Sequence, residues 1–227
     1  MGKLLKKEKI GSSAQGLAIE VLQLTQGPIP ILILGGVHGD EPEGFFLVEK
    51  WLKTESCWAQ FQDRASLWLL PRVNPDGCSR NERGNGSGVD LNRNMPTKDW
   101  TNVAAQPRYF PGPAAASEPE TRALIELIER LNPKLIISAH SWNPMINYNG
   151  PCKKLAEHMA KFNGYKVSDD IGYPTPGSLG TWAGWERKLP VITLEIERGS
   201  SEEVIWKTHS EALSEAVQFA ITNERLD

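Results

Sequence analysis

No run of apolar residues in this sequence is long enough to cross a bilayer. Cysteine is scarce: Cys57, Cys78 and Cys152 are odd in number, scattered, and form no Cys-x-x-Cys pair. That excludes a disulfide framework and fits reduced thiols in a cytoplasmic protein. Neither sign of charge dominates. A formal net charge of −3 and a pI near 5.9 remove any electrostatic reason to propose nucleic acid or an anionic membrane as partner. The basic start, with Lys3, Lys6, Lys7 and Lys9, has no apolar stretch behind it and does not read as a signal peptide. Internal repeats and linker-like shifts in composition are also missing. What remains is an ordinary globular composition, 227 residues with 40% hydrophobic and 23% charged content, read as a single domain over residues 1–227.

Strand signals alternate with helical ones along the chain. Residues 17–24 read as a strand, turned by Gln26-Gly27-Pro28 into the apolar run 31–34. Residues 43–53 read as a helix with Phe46, Leu47, Trp51 and Leu52 inward. Asp40 is its expected N-cap, Glu43 the capping-box partner and Pro42 a first-turn residue. Residues 66–73 form another strand, stopped by the turn Asn74-Pro75-Asp76-Gly77, with Pro71 placing its end at an edge or bulge. From Asp76 to about Ala116 there is little periodicity but much Gly, Asn, Pro and Arg. A loop of that length is functional or disordered, and Arg83, Asn85 and the run Gly88-Val-Asp-Leu-Asn-Arg-Asn94 favour function.

Ser117 and Glu120 read as a capping box for a helix carrying Leu124, Leu127, Ile128 and Leu131 and stopped by Pro133. Residues 134–139 form a strand with His140 at its end. Residues 153–163 form a helix closed by Gly164, with Leu155, Met159 and Phe162 facing in. A Gly/Pro-rich loop over 172–177 leads to a short helix through Trp182 and Trp185. Residues 191–196 are an apolar strand interrupted by Glu195, and Ser200-Ser-Glu-Glu203 caps a last helix running to about Thr222.

This alternation predicts an α/β fold, a mixed, mostly parallel twisted sheet with helices on both faces. Ligands in such sheets bind beyond the carboxyl ends of strands. His38, Asn74, His140 and Glu195 all fall at or beside such ends. Glu195 matters most, because an acid inside an apolar strand is costly to bury without a partner; a salt bridge to Arg198, or a solvent-facing side chain, is the plainer reading. His38 and Glu41 sit on a sharp strand-to-helix turn where both can reach one point. A neutral imidazole and a carboxylate are ligand types of hydrolytic zinc sites, although the pair alone also suits a solvated histidine beside a helix-capping acid. His158 and His209, in helices amid charged residues, are expected on the solvated surface.

Taken together, His38-Gly-Asp-Glu41, Asn74-Pro-Asp-Gly77, Arg83, Gly88-Val-Asp-Leu-Asn-Arg-Asn94, Ser138-Ala-His140-Ser141 and Thr193-Leu-Glu195 resemble, in order and context, the zinc metallocarboxypeptidases of the carboxypeptidase A type. The loop Gly172-Tyr-Pro-Thr-Pro-Gly-Ser-Leu-Gly-Thr-Trp182 looks like the short bacterial branch of that family, the murein peptide amidases. The resemblance implies one zinc ion per chain on His38, Glu41 and His140, and a general base at Glu195. It further implies that Arg83, with Arg80 close by as the alternative, polarises the scissile carbonyl. By the same carry-over Asn92 and Arg93 grip the terminal carboxylate of a peptide substrate and Tyr173 closes over it. The bond implied is that between γ-D-glutamate and meso-diaminopimelate in peptidoglycan peptides, cleaved in the cytoplasm during wall recycling, with no nucleic acid or membrane as partner.

The residue types suit that chemistry on physical grounds. Zinc on three protein ligands lowers the pKa of bound water to about 7, and a nearby carboxylate can take its proton and pass it on. A guanidinium stays charged where an oxyanion develops, and a second one can hold a carboxylate by two parallel hydrogen bonds. Two other readings stand beside this one. A zinc deacylase of the aspartoacylase and succinylglutamate desuccinylase type shares the His-x-x-Glu and Asn-Arg logic. A non-catalytic peptide-binding module would keep the scaffold but replace a ligand or Glu195.

Overall fold

Ile31, Leu32, Ile33 and Leu34 are all fully buried, yet they serve two different cores. Ile31 and Ile33 pack into one hydrophobic cluster and Leu32 and Leu34 into another, as the two-residue period of a strand covered on both faces requires. The computed structural model describes residues 4–227, so Lys3 of the basic start lies outside the described residues. In order, these form β1 (Lys6–Ser12), β2 (Ala18–Gln23), β3 (Ile29–Leu34), α1 (Pro42–Lys53), β4 (Ala65–Leu70), α2 (Pro75–Arg80), α3 (Pro119–Leu131), β5 (Leu135–Trp142), β6 (Met145–Asn149), α4 (Lys153–Asn163), β7 (Lys166–Ser168), β8 (Val191–Glu197) and α5 (Glu202–Thr222).

The strands make one sheet in the order β1-β2-β4-β3-β5-β8-β6-β7. β4, β3, β5 and β8 run parallel, as do β6 and β7; β1 with β2, β2 with β4 and β6 with β8 are antiparallel. Helices α1, α4 and α5 supply Leu47, Trp51, Leu155, Met159, Leu213 and Val217 to one core. Helix α3 supplies Leu124, Leu127 and Ile128 to the other, together with Trp182. Each such side chain contributes about 1.5–3 kcal/mol by leaving water. The mixed, mostly parallel sheet with helices on both faces is therefore as expected.

Several local expectations are corrected. The cap of α1 is Glu41, not Asp40, and no side chain caps it. Glu43 is buried and accepts instead from Ser141 Oγ at 2.6 Å and the Gly199 amide at 2.7 Å. The Ser117–Glu120 capping box does not form either: Glu118 is the cap position of α3, and the buried Glu120 accepts from the Ala14 amide and Asn85 Nδ2. In both cases a carboxylate that could have served its own helix is claimed by a distant donor. Pro71 marks no edge, because β4 lies inside the sheet and stops one residue before it. The expected turn at Asn74 opens α2, with Asn74 Oδ1 accepting from the Gly77 amide. Phe162 is 36% exposed and packs on the His158 ring rather than in the core.

The two remaining histidines part company. His158 stays near the surface, 3.2 Å from Glu215. His209 does not: it is 1% exposed, its ring edge meets Tyr165 at 4.9 Å, and its Nδ1 has no partner among the described residues. Burial lowers its pKa to about 4. An unfolded chain binds this proton below about pH 6.5, whereas the folded chain refuses it until pH nears 4. The unfolded state binds more protons in that window, so stability falls as pH falls through it, by up to about 3 kcal/mol. Urea midpoints are expected to drop between pH 7 and pH 4.5, and to drop less in His209→Leu; an unchanged slope in the variant would contradict the buried neutral histidine.

Candidate metal centre and active site

The carboxyl ends of the parallel strands meet along one edge of the sheet, and the conspicuous polar residues gather there. His38 follows β3, His140 lies in β5, and Glu195 lies in β8 directly paired with His140. Close backbone contact makes this possible. A Cβ on Gly39 would overlap the main chain of Gly77, so the turn carrying His38 can pass the one opening α2 only with glycine at position 39. A Cβ on Gly44 would likewise meet the Ala139 carbonyl, where α1 leans on β5.

Three side chains converge. His38 Nδ1 lies 2.9 Å from Glu41 Oε1, His140 Nδ1 lies 2.9 Å from Glu41 Oε2, and the two Nδ1 atoms are 3.2 Å apart. All three residues are buried. The outer nitrogens are already engaged: His38 Nε2 with Asp90 Oδ1 at 3.0 Å, His140 Nε2 with Ser138 Oγ at 3.1 Å. Asp90 cannot donate as a carboxylate, so the proton of a neutral His38 sits on Nε2 and its Nδ1 presents a lone pair. That lone pair converges with the other imidazole nitrogen and the carboxylate at hydrogen-bond distance, as ligand atoms do around a shared cation. Burial and Arg83 oppose protonation of His38, but Glu41 and Asp90 outweigh them and raise its pKa. The donor set fits a divalent metal of the zinc type.

Around this point lies a polar shell. Asp90, fully buried, also accepts from Arg83 Nε at 2.8 Å and from the Asn92 amide at 2.9 Å. Burial alone would raise its pKa, yet His38 and Arg83 hold it well below the usual carboxylate range. Arg83 Nη1 reaches Glu41 Oε1 at 3.1 Å, and the residue lines the cleft. Arg80 turns away, to Glu82, Gln15 Oε1 and the Asn85 carbonyl. Asn74 turns inward too, capping α2 and donating to the Arg83 carbonyl at 3.3 Å. Glu195 is 5% exposed; burial, reinforced by the charge of Glu41, pushes its carboxyl up to about 7 against His140, Arg83 and Arg198. Arg198 is no salt-bridge partner of Glu195 here: its guanidinium pairs with Asp40.

A cleft of about 770 Å³ opens over these groups, lined also by Asn92, Arg93 and Tyr173. Asn92 Oδ1 accepts from the Leu179 amide, and Arg93 packs beside the rings of Tyr109 and Tyr173 at 5.4 and 6.0 Å. Tyr173 is 36% exposed and edge-on to Trp142 at 5.3 Å, and partial burial raises its phenol pKa. All eight residues singled out from the sequence, His38, Glu41, His140, Glu195, Arg83, Asn92, Arg93 and Tyr173, thus line one cleft. The partners that sequence reasoning left without a role are Asp90, Ser138, Tyr109 and Trp142. Asp90 and Ser138 carried a signal, their places inside the Gly88–Asn94 and Ser138–Ser141 runs.

Comparison with known proteins agrees with this geometry. The zinc carboxypeptidase family model, Peptidase_M14, matches residues 2–173, and the chain belongs to that family. Within it, the chain is 35% identical over 204 residues to murein peptide amidase A of Escherichia coli K12, covering 85% of this chain and 77% of that protein. The crystal structure of murein-tripeptide amidase from Escherichia coli O157 superposes with a TM-score of 0.79 at 30% identity, over 96% of this chain and 94% of that one. Carboxypeptidase A from Helicoverpa armigera shares the fold, with a TM-score of 0.80 at 17% identity over 97% of this chain and 69% of that one. The protein is a zinc peptidase, which sets aside the deacylase and the non-catalytic module. Among the described residues no helix is long and apolar enough to cross a membrane.

On this donor set, His38→Ala and His140→Ala are each expected to lose zinc on dialysis against a mild chelator, read by elemental analysis of the folded protein. Asp90→Asn, which spares the ligands but loosens His38, should weaken zinc affinity by about 10–100-fold. Full zinc retention in both histidine variants would place the metal elsewhere.

Proposed function

We propose that this chain is a metallocarboxypeptidase of peptidoglycan peptides, acting as one catalytic domain with one zinc on His38, Glu41 and His140, and hydrolysing the γ-D-glutamyl–meso-diaminopimelate bond of the murein tripeptide. A cytoplasmic setting, where Cys57, Cys78 and Cys152 stay as the free thiols they are, belongs to the same proposal. The observation that carries the reading is a buried guanidinium, Arg93 at 5% exposure, in the cleft that also holds the convergent ligands and Glu195. A buried cation facing a cleft is costly unless an anion meets it, and a free terminal carboxylate is such an anion. Asp169 and Asp170 line the same cleft, so it offers charges of both signs to a zwitterionic leaving residue. The murein specificity draws on the likeness to murein peptide amidase A.

Each residue then has a task. Bound zinc would supply a water of lowered pKa and polarise the carbonyl. Glu195, fixed in β8 beside His140, takes a proton from the attacking water and returns it to the leaving amine. Arg83, held by Asp90 and Glu41, faces the negative charge that develops on the carbonyl oxygen. Asn92 and Arg93 hold the terminal carboxylate, and Tyr173 with Trp142 covers the bound peptide and excludes water.

Three measurements test this. Glu195→Gln should keep zinc and fold while losing about 10²–10⁴ in turnover, the worth of a positioned acid–base group; metal lost together with activity would make Glu195 a ligand. Converting the substrate's terminal carboxylate to an amide should lower kcat/KM by about 30-fold or more, because a desolvated charge left unpaired costs about 2–5 kcal/mol, and Arg93→Ala should erase that preference. Finally, L-Ala-γ-D-Glu-meso-diaminopimelate offered beside its α-linked L-glutamyl isomer should be cleaved faster, with products read by mass. Faster release from the α-linked isomer would keep the carboxypeptidase and discard the murein assignment.

A further inference from the structure

Asp40, between His38 and Glu41 in the chain, carries a second cationic point of the cleft. Its Oδ2 accepts from Arg108 Nη2 at 3.1 Å and lies 3.1 Å from Arg198 Nη2, while Arg198 also donates to the Asp40 main-chain oxygen. One carboxylate therefore serves two guanidiniums, leaving one positive charge in excess and most of their ten N–H donors free. Both side chains are well exposed, at 45% and 40%, and both residues line the cleft. The pair is attached to the reacting centre from two sides. Asp40 precedes Glu41 directly, and Arg198 follows Glu195 by three residues at the end of β8. Arg108 flanks the Tyr109 ring at 5.5 Å, the same ring that Arg93 approaches at 5.4 Å.

We propose that Arg108 and Arg198, paired on Asp40, bind a free carboxylate on the acyl side of the scissile bond, distinct from those of the leaving residue. This rests on the carboxypeptidase reading above. A single terminal carboxylate is satisfied by Arg93 and Asn92, so a further cationic point, solvated and held ready beside the metal-ligand segment, matches a further anion. A γ-linked glutamyl residue has one: its α-carboxylate hangs three carbons from the scissile carbonyl. An α-linked glutamyl residue also places its side-chain carboxylate three carbons from that carbonyl, so the pair selects an acidic acyl residue in either linkage. Two parallel hydrogen bonds from adjacent guanidiniums are the geometry that favours a carboxylate over a neutral amide.

The test uses the zinc-loaded chain and two substrate pairs: L-Ala-γ-D-Glu-meso-diaminopimelate with its α-carboxamide, and the α-linked L-Glu peptide with its L-Gln counterpart. The unaltered chain should prefer the free carboxylate by about tenfold or more in kcat/KM, chiefly through KM. In the double variant Arg108→Gln, Arg198→Gln that ratio should fall towards one, and the Lys double variant should recover part of it. A pair that merely locks the Pro107–Tyr109 turn onto Asp40 would instead lower carboxylate and amide substrates alike. A ratio near one in the unaltered chain, or a preference that survives in the double variant, overturns the proposal. Cleavage of only the α-linked pair would discard the γ-glutamyl reading while the Glu-to-Gln ratio still decides the role of the arginines; cleavage of none of the four overturns both.

Discussion

Ligand-type atoms that converge on one buried point are the constraint on which the site depends. Two imidazole nitrogens 3.2 Å apart, each 2.9 Å from an oxygen of the same carboxylate, need a proton or a metal cation among them. Burial sharpens this demand, because an unmet polar group inside a protein costs far more than one in water. The surroundings hold the arrangement in place. Asp90 fixes the His38 ring from behind, Ser138 engages that of His140, and Arg83 with the Ser141 amide steadies Glu41. The parallel strands supply the scaffold, since their register sets His140 against Glu195, and glycine at 39 lets the two turns close in.

The long segment between β4 and α3 shows how a stretch with little regular structure is ordered. Its backbone groups find partners in side chains of its own. Asn85 Oδ1 accepts from the Ser87 and Val89 amides; Asn94 Nδ2 donates to the Pro111 and Ala114 carbonyls and its Oδ1 accepts from the Glu118 amide. Asparagine suits this because it carries both donor and acceptor on a short stem. The segment is then tied to the rest of the molecule by buried carboxylates. Glu118 and Glu120 both accept from Asn85 Nδ2, and Asp76 accepts from Ser13 Oγ and the Gln15 amide. Burial raises the pKa of Glu120, against the hydrogen bonds of the Ala14 amide and Asn85. Arg83, Asn92 and Arg93 thus ride on a loop tied down by its own asparagines and by buried carboxylates.

Cationic groups near an active cleft are sorted by burial. Arg93 is almost wholly enclosed and Arg83 nearly so, while Arg108 and Arg198 stand at 45% and 40% exposure. Tyr109 lies beside three of them, with Arg83, Arg93 and Arg108 at 5.0, 5.4 and 5.5 Å from its ring centre. The face of an aromatic ring stabilises a guanidinium without neutralising it, so the charges stay available to a ligand.

The amino-acid sequence by itself determined the elements whose signals are local. The apolar runs of β3, β5 and β8, the helical spacing and closing Gly164 of α4, and the serine cap of α5 all rest on neighbours within a few residues. Resemblance to the motifs of the zinc metallocarboxypeptidases likewise marked the eight residues that now line one cleft. Strands β1, β6 and β7 were illegible, because each is stabilised by pairing with a strand elsewhere in the chain rather than by a pattern of its own. The same holds for polar partners. Glu43 and Glu120 match local capping rules yet bond across 156 and 106 residues, to Gly199 and Ala14. His209, set among charged neighbours in its helix, is buried by packing against Tyr165. Arg83 and Arg80 were interchangeable in the sequence, and only the fold brought Asp90 and Glu41 to one and Gln15 and Glu82 to the other. Periodicity and turn chemistry act between near neighbours and can be read along the chain; which donor meets a buried carboxylate is decided only when distant segments come together.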